Sequence, residues 1–361
     1  MKRTLLLLVH MGLLAVAGTA AERPQRNYYV YVCAESDDTV HKLRFGPRGF
    51  DEVKSMSVGA FPADTEGPHG INVSPDGKHW FLSIAHGMPF GTVNKFDTET
   101  DEWLADVTVG MFPATMSISP ATGLLYVVNF DLHGDMKPSG ISVVETSTMI
   151  EVARVDVGIM PHGARMNAAG TRLYSVNMMS DSLVELDTLT FELARSLSLV
   201  DDTEGDALLS RMSAKAKPTW VTSPTPEGKV YVAGNGDNVI YEIDVDAWKI
   251  TSKLDAGDGM GPYNLDVTSD GRLLVATYKS SAHVGFWDLA TGEELARVKT
   301  TRRIPHGVVV SDDDRYAFVT LEGIGGEPGT VEVYDLETRE RVDKADVGKQ
   351  AGGIIFWKGV P

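Results

Sequence analysis

The sequence predicts an all-β protein, a seven-bladed β-propeller with four antiparallel strands in each blade. Three observations support this prediction: an internal repeat, four short strand patterns inside each repeat, and an incomplete repeat at either end of the chain. A repeat of about 45 residues that holds four strands is typical of a propeller blade.

Each repeat begins with a proline, followed by an apolar run, a turn and a second β-rich run, as in residues 68–84 (PHGINVSPDGKHWFLSI). Successive leading prolines are 43 to 57 residues apart: Pro68, Pro113, Pro161, Pro218, Pro262 and Pro305. Apolar and polar residues alternate, β-branched residues are frequent, and Asp-Gly or Thr-Gly pairs mark turns, which together predict four strands in each unit.

The two ends of the chain complement each other. Residues 350–356 have the pattern of an inner strand with no strands after it, whereas residues 29–45 supply outer strands with no inner strand before them. We therefore expect the C-terminal strand to pair with the N-terminal strands and close the ring, which leaves no sheet edge exposed. One insertion, about 201–217, separates blades 4 and 5, and residues 207–212 within it predict a short helix.

Residues 1–21 predict a signal peptide. Lys2 and Arg3 precede an apolar run, which ends in small residues at 18–21. The run is shorter than the roughly 20 residues that span a bilayer, and no second run of that length follows. We expect a single domain over residues 22–361 that is periplasmic or secreted, monomeric and not inserted in a membrane.

Charge and cysteine content exclude several kinds of partner. The formal net charge is -17, and removal of Lys2 and Arg3 makes it more negative, which argues against nucleic acids and anionic lipids. The one cysteine, Cys33, lies in a strand pattern and is expected to be buried, without a disulfide. There is no Cys-x-x-Cys-His motif, so c-type haem is not expected.

Two further phrases recur where second strands end: residues 126–129 (YVVN) and 174–177 (YSVN). Together with residues 68–77 (PHGINVSPDG) they resemble the YVTN or YncE-like family of bacterial seven-bladed propellers over essentially the whole mature chain. The resemblance implies the fold. It implies no particular activity, because the family consists largely of binding modules and proteins of unassigned role, and this fold hosts many functions.

Five histidines are predicted on one face of the disk. Three follow a leading proline and two fall in loops between second and third strands: His69, His162, His306, His86 and His133. Strand alternation places the loop that enters the inner strand and the loop between the second and third strands on the same face. We therefore expect all five imidazoles near one mouth of the central channel.

The three histidines that follow prolines belong to blades 2, 4 and 7. Steps of two, three and two around a sevenfold ring are the closest available approach to an equilateral triangle, the arrangement that a three-histidine metal site needs. Its ligand nitrogens must lie about 2 Å from one ion. Histidine ligands without a nearby cysteine indicate copper or zinc, and the oxidising compartment favours copper.

A structural role for these residues is the equally weighted alternative. The histidines can fill the channel or bind neighbouring carbonyls, and His86 and His133 can line a wet pocket instead of binding metal. Tyr263 and Trp220 are weak candidates for substrate-facing or redox-active aromatic residues, although packing is the commoner role for such side chains. Glu35 and Glu322 are either solvated loop charges or carboxylates that orient an imidazole.

The sequence therefore leads to an exported propeller that binds a transition metal on axial histidines, as a metal-dependent oxidoreductase or a metal-binding protein. A small molecule or a redox partner protein would bind at the histidine-bearing face. The alternatives are a metal-free interaction or scaffold propeller and a metal-independent hydrolase or lyase that uses the same pocket. No Gly-x-Ser-x-Gly, His-Glu-x-x-His or phosphate-loop motif occurs.

Overall fold

The computed structural model describes residues 23–61, 63–86 and 89–361. Seven four-stranded antiparallel sheets form the blades of a propeller, as the sequence predicts. The predicted signal peptide, residues 1–21, lies outside the described residues. Within the described ranges, the search for a helix long and apolar enough to cross a membrane finds none.

Each blade is numbered here from the one that contains the N-terminal strands. Blade 1 consists of β28 (Ala351–Val360), β1 (Asn27–Ala34), β2 (Thr39–Gly46) and β3 (Gly49–Ser57). Blade 2 consists of β4 (Pro68–Val73), β5 (His79–Ile84), β6 (Thr92–Asp97) and β7 (Trp103–Thr108). Blade 3 consists of β8 (Pro113–Ile118), β9 (Leu124–Asn129), β10 (Pro138–Glu145) and β11 (Ile150–Ile159).

The remaining blades repeat this order from the axis outward. Blade 4 consists of β12 (Pro161–Met166), β13 (Arg172–Asn177), β14 (Ser182–Asp187) and β15 (Glu192–Ser198). Blade 5 consists of β16 (Pro218–Val221), β17 (Lys229–Gly234), β18 (Val239–Asp244) and β19 (Lys249–Asp255). Blade 6 consists of β20 (Pro262–Val267), β21 (Leu273–Tyr278), β22 (His283–Asp288) and β23 (Glu293–Lys299). Blade 7 consists of β24 (Pro305–Val310), β25 (Tyr316–Leu321), β26 (Gly329–Asp335) and β27 (Glu340–Val347).

The ring closes as predicted. Strand β1 pairs antiparallel with both β2 and β28, so that Val32 lies opposite His41 on one side and Ile354 on the other. The C-terminal strand β28 also packs against the inner strands on both sides, β24 and β4. The first and last parts of the chain therefore share one sheet.

Apolar clusters fill the interfaces between neighbouring blades. The cluster between blades 1 and 2 contains Tyr31, Cys33 and Trp80, and Cys33 is fully buried, as expected. Burial raises the pKa of its thiol well above the ordinary value. Each blade thus buries one face of its sheet against the next, which is the arrangement that a repeat unit needs for stability.

The residue that precedes each inner strand adopts the left-handed backbone region. These seven residues have φ between 45° and 69°: Gly67, Phe112, Met160, Lys217, Gly261, Ile304 and Gln350. Such a conformation is uncommon for residues other than glycine, particularly for a β-branched one such as Ile304. Its recurrence at all seven inner strands shows that one turn geometry leads the chain to the axis in every blade.

The insertion between blades 4 and 5 contains one helical turn and ties it to the propeller. Helix α1 spans Gly205–Leu209, two residues earlier than the sequence predicts at its start. Its buried residue, Leu208, anchors it beside β11 and β15. The guanidinium of Arg211 then donates to both carboxylate oxygens of Asp201, at 2.7 Å each, and closes the insertion on itself.

Candidate functional site

Three imidazoles from three blades meet at one end of the channel. His69, His162 and His306 are the second residues of β4, β12 and β24, and all three are buried. The ring centroid of His69 lies 6.5 Å from that of His162 and 5.7 Å from that of His306. The structure therefore brings together the three histidines that follow leading prolines.

A buried carboxylate orients two of the predicted histidines. Glu35, which directly follows β1, accepts a hydrogen bond from Nδ1 of His69 at 2.9 Å and pairs with Nε2 of His86 at 2.7 Å. Although burial disfavours the charged form of Glu35, His69 and His86 hold its pKa well below the usual range. The hydrogen bond to Glu35 in turn raises the pKa of His86.

A backbone carbonyl orients His162. Its Nδ1 donates to the carbonyl oxygen of Thr219 at 2.7 Å, so that in the neutral imidazole Nε2 carries the lone pair. That nitrogen is 3.2 Å from the hydroxyl of Tyr263, which can donate to it. Burial lowers the pKa of His162 to about 3, and the ring is therefore neutral at physiological pH.

His306 has the least satisfied imidazole of the three. Its Nδ1 is buried and has no hydrogen-bond partner in the described part of the chain, and its Nε2 is 3.9 Å from Oε1 of Glu322, beyond hydrogen-bonding distance. Burial lowers the pKa of His306 well below the ordinary value. A neutral imidazole whose buried nitrogen has no partner can accept a hydrogen bond from an acid or bind a cation.

Tyr263 connects the histidines to a charged pair. Its ring centroid lies 5.6 Å from that of His162 and 4.7 Å from that of His306. The ammonium of Lys279 sits 4.1 Å from the Tyr263 ring centroid and forms a 2.9 Å ion pair with Glu322. Burial raises the pKa of Tyr263, so the phenol remains protonated and available as a donor.

The other two predicted histidines stand apart from the axial group. His133 is exposed, and its aromatic contact is with Phe112, at 5.9 Å between centroids. His86 reaches His69 through Glu35, and it too lies against Phe112, at 5.5 Å. Phe112 therefore separates both side chains from the axis, and they line the mouth above it.

Trp220 lies on the side of the channel that leads away from this mouth. Its ring is 6.4 Å from His162, and the guanidinium of Arg165 stacks on it at 4.4 Å. The cavity along the axis has a volume of about 40 Å³ and is lined by all three axial histidines, Arg165 and Trp220. At 10–15 Å³ for a water-sized occupant, this is room for about three heavy atoms.

The three imidazoles offer suitable donor atoms for a metal ion, but their rings lie farther apart than in a site where they share one ion. Three imidazoles that share one ion at about 2 Å would have ring centroids about 5 Å apart, so the His69 ring would have to approach that of His162 by about 1.5 Å and that of His306 by about 0.7 Å. In residues 23–61, 63–86 and 89–361 no group of three or more His, Cys, Asp or Glu side chains is already arranged to hold a metal. The donors themselves fit, because His69 and His162 each have Nδ1 held by an oxygen acceptor, the usual arrangement of an imidazole that binds metal through Nε2.

Sequence reasoning missed three parts of this site: Phe112, Lys279 and the carbonyl of Thr219. A signal for Lys279 was present, since Glu35, Lys279 and Glu322 each come directly after the second strand of a blade. Phe112 and the Thr219 carbonyl had no such signal, because an aromatic residue before a proline and a backbone oxygen carry no distinctive pattern.

Comparison with solved structures supports the fold. A protein from Lactobacillus plantarum superposes with a TM-score of 0.71 at 13% identity over 92% of this chain and 99% of that chain. Two further proteins are each described as a "putative 6-phosphogluconolactonase". The one from Bacteroides fragilis has a TM-score of 0.70 at 14% identity over 94% and 99% of the two chains. The one from Bacteroides uniformis has a TM-score of 0.68 at 12% identity over 91% and 99%.

The sequence matches no family model and no curated protein. At identities this low, similarity to solved structures shows the fold and no activity. The seven-bladed propeller implied by the resemblance to YVTN or YncE-like proteins is confirmed, and membership of that family stays a prediction.

Proposed function

We propose that this exported propeller binds one transition-metal ion on His69, His162 and His306, with copper favoured and zinc as the alternative. One observation carries the proposal: three neutral or carboxylate-paired imidazoles converge on the axis, and two of them have Nδ1 committed to Glu35 and to the Thr219 carbonyl. That commitment leaves Nε2 of both rings as the ligand atom, and the partners of Nδ1 raise ligand basicity. At His162 the ion would displace the hydroxyl of Tyr263, which lies 3.2 Å from this nitrogen.

A copper ion at this position would supply one-electron or Lewis-acid chemistry to a small molecule bound in the open coordination position. The residues of the chain would do the rest. Tyr263 holds a proton beside His162, Lys279 and Glu322 place a balanced ion pair next to it, and Phe112 limits access of water from the mouth. The acidic surface favours a neutral or cationic substrate or a basic redox partner.

Metal analysis of the purified protein tests this proposal. Chelator-treated protein should take up one equivalent of copper or zinc, and the midpoint of thermal unfolding should rise with metal concentration, since an ion that binds only the folded state stabilises it. A variant with His69→Ala, His162→Ala and His306→Ala should lose this uptake. His283→Ala is the matched control, because His283 begins β22, and its Nδ1 lies 3.3 Å from the hydroxyl of Ser281.

The single variants His69→Asn and His306→Asn keep the test decisive if the triple variant fails to fold. Uptake that is equal in wild type, His283→Ala and folded variants of the axial histidines would refute the metal site. Protein that takes up no metal and turns over no substrate would support the metal-free interaction propeller instead.

A metal-independent hydrolase is the second candidate, and one observation favours it. The Tyr263 hydroxyl lies between a neutral imidazole and a lysine ammonium, an arrangement suited to proton transfer. Two of the similar structures are described as a "putative 6-phosphogluconolactonase", which suggests lactones as the substrate class to try. Because the axial cavity holds about three heavy atoms, such a substrate would bind at the mouth above it.

Hydrolysis of sugar lactones in the presence of a chelator tests this candidate. Turnover that chelators leave unchanged and that Tyr263→Phe lowers by about a hundredfold would support it, in line with the usual contribution of a general acid or base. Lactone turnover that is absent, or that survives Tyr263→Phe, would exclude this role of Tyr263.

A further inference from the structure

Arg165 carries a positive charge in the channel and has no ion-pair partner among the described residues. It lies on β12, three residues beyond His162, and lines the end of the cavity away from the histidine mouth. Its one hydrogen bond to residues that the structure describes runs from Nη1 to the carbonyl oxygen of Ala164, at 2.9 Å. Across the part of the chain that the structure describes, Arg165 has no salt bridge. A guanidinium carries five N–H donors, so most of its donors are available to a ligand.

The nearest opposite charge is committed elsewhere. Asp266 accepts hydrogen bonds from the backbone N–H groups of Val310, at 2.7 Å, and Val267, at 3.0 Å. Burial raises the pKa of Asp266 and lowers the pKa of Arg165, and the attraction between the two charges offsets these shifts only in part. Arginine keeps its proton in proteins, so the cavity wall retains a cation that Asp266 offsets without forming a salt bridge to it.

The surroundings of Arg165 hold the guanidinium in place and add one further donor. The Trp220 ring stacks on it at 4.4 Å, which fixes its plane. Among the described residues, Nε1 of Trp220 is a buried N–H donor without a hydrogen-bond partner. Oδ1 of Asn264, on the cavity wall, also has no partner there, but as an acceptor it suits water or a protonated group and not an anion. Buried polar atoms of this kind are normally satisfied by water or a ligand.

We propose that the Arg165 end of the channel binds a small planar anion, a carboxylate or inorganic oxyanion of about three heavy atoms such as formate or nitrite. The size follows from the cavity volume of about 40 Å³. The charge follows from the unpaired guanidinium, whose fork of donors matches two oxygens of one anion. The inference does not depend on the metal site, although the two ends share one cavity.

Calorimetric titration of chelator-treated protein with sodium formate and sodium nitrite tests the proposal. Wild type should bind one equivalent with about millimolar affinity or better. Arg165→Met should weaken this by tenfold or more, because a charge-assisted pair is lost. Arg195→Met is the matched control: Arg195 stacks on Trp248 at 4.3 Å as Arg165 does on Trp220, but it pairs with Glu185 away from the cavity.

If Arg165→Met does not fold, Arg165→Lys serves as a second variant, which keeps the charge and removes the forked pair of donors. Arg165→Lys should bind formate more weakly than wild type. Wild type without detectable anion binding, or equal affinity in the Arg165 and Arg195 variants, would overturn the proposal. The variant without the three axial histidines should still bind formate, so failure of the metal site and failure of the anion site give different results.

Discussion

An asparagine at the end of the second strand and a Val-Gly pair at the end of the preceding blade recur together in this chain because they contact each other. Nδ2 of Asn177 donates to the carbonyl oxygen of Val157, on the outer strand of the preceding blade, and to the hydroxyl of Ser182 within its own blade. A side chain at Gly158 would overlap Asn177, and one at Gly110 would overlap Asn129 in the same way. The asparagine and the Val-Gly pair that ends the preceding blade, Val109-Gly110 or Val157-Gly158, are thus the two halves of one contact between blades.

Gly353 lies where two inner strands pack closely beside the site. A methyl group at Gly353 would overlap the carbonyl oxygen of His69, a backbone atom that cannot rotate away. Gly353→Ala should therefore lower the free energy of unfolding by about 2 kcal/mol or more, measured by urea denaturation. Gly352→Ala is the control, because a methyl group there has no neighbour closer than 3.8 Å. Equal stability of the two variants would contradict this account.

Neighbouring blades are also held by a buried ion pair. Nζ of Lys42, on β2, lies 3.0 Å from both carboxylate oxygens of Asp101, in the turn between β6 and β7 of the next blade. Their side chains are only 7% and 3% exposed, and the Trp357 ring lies 4.6 Å from the ammonium. The contact between blades 1 and 2 is thus partly electrostatic, although the desolvation of both charges offsets much of the attraction.

Removing one partner of the Lys42–Asp101 pair should lower the free energy of unfolding by more than the intact pair contributes to it. Lys42→Met leaves Asp101 buried with reduced compensation, and we expect unfolding to become easier by about 3 kcal/mol in chemical denaturation. Lys54→Met is the matched control, since Lys54 approaches the same carboxylate at 3.4 Å with 43% of its side chain exposed. Its loss should cost less than about 1 kcal/mol. Similar losses for both variants would show that burial of Lys42 does not matter.

At the scale of the whole molecule, one sheet joins the ends of the chain. Blade 1 has its inner strand from the C-terminus and its outer strands from the N-terminus, so its interfaces with blades 2 and 7 depend on both ends being in place. The axial site depends on the same closure, because Glu35 comes from the N-terminal part of blade 1 and His306 from blade 7.

Truncation before β28 should destroy cooperative folding. Removal of residues 351–361 exposes the edge of β1 and removes the packing of β28 against β4 and β24. Calorimetry should then show a broad or absent transition instead of one sharp peak. Removal of residues 359–361 alone keeps the strand pairs Val30–Phe356, Tyr31–Ile355 and Val32–Ile354 of blade 1. It should therefore preserve a single transition. A sharp transition at the wild-type temperature after the longer truncation would refute the role of closure.

The sequence by itself determined the number of blades, the closing strand and the face on which the histidines lie. These features follow from repeat spacing and strand alternation, which are properties of local sequence. The short helix began two residues earlier than predicted, because its position is set by where Leu208 finds a buried site and not by periodicity.

The tertiary structure decided what each histidine contacts. Phe112 keeps His86 and His133 at the mouth, Glu35 and the Thr219 carbonyl select the ring nitrogens of His69 and His162, and Lys279 faces Tyr263. These partners are far apart along the chain. Their distances depend on side-chain rotamers and backbone turns around a closed ring, and differences of about 1 Å decide whether imidazoles can share an ion.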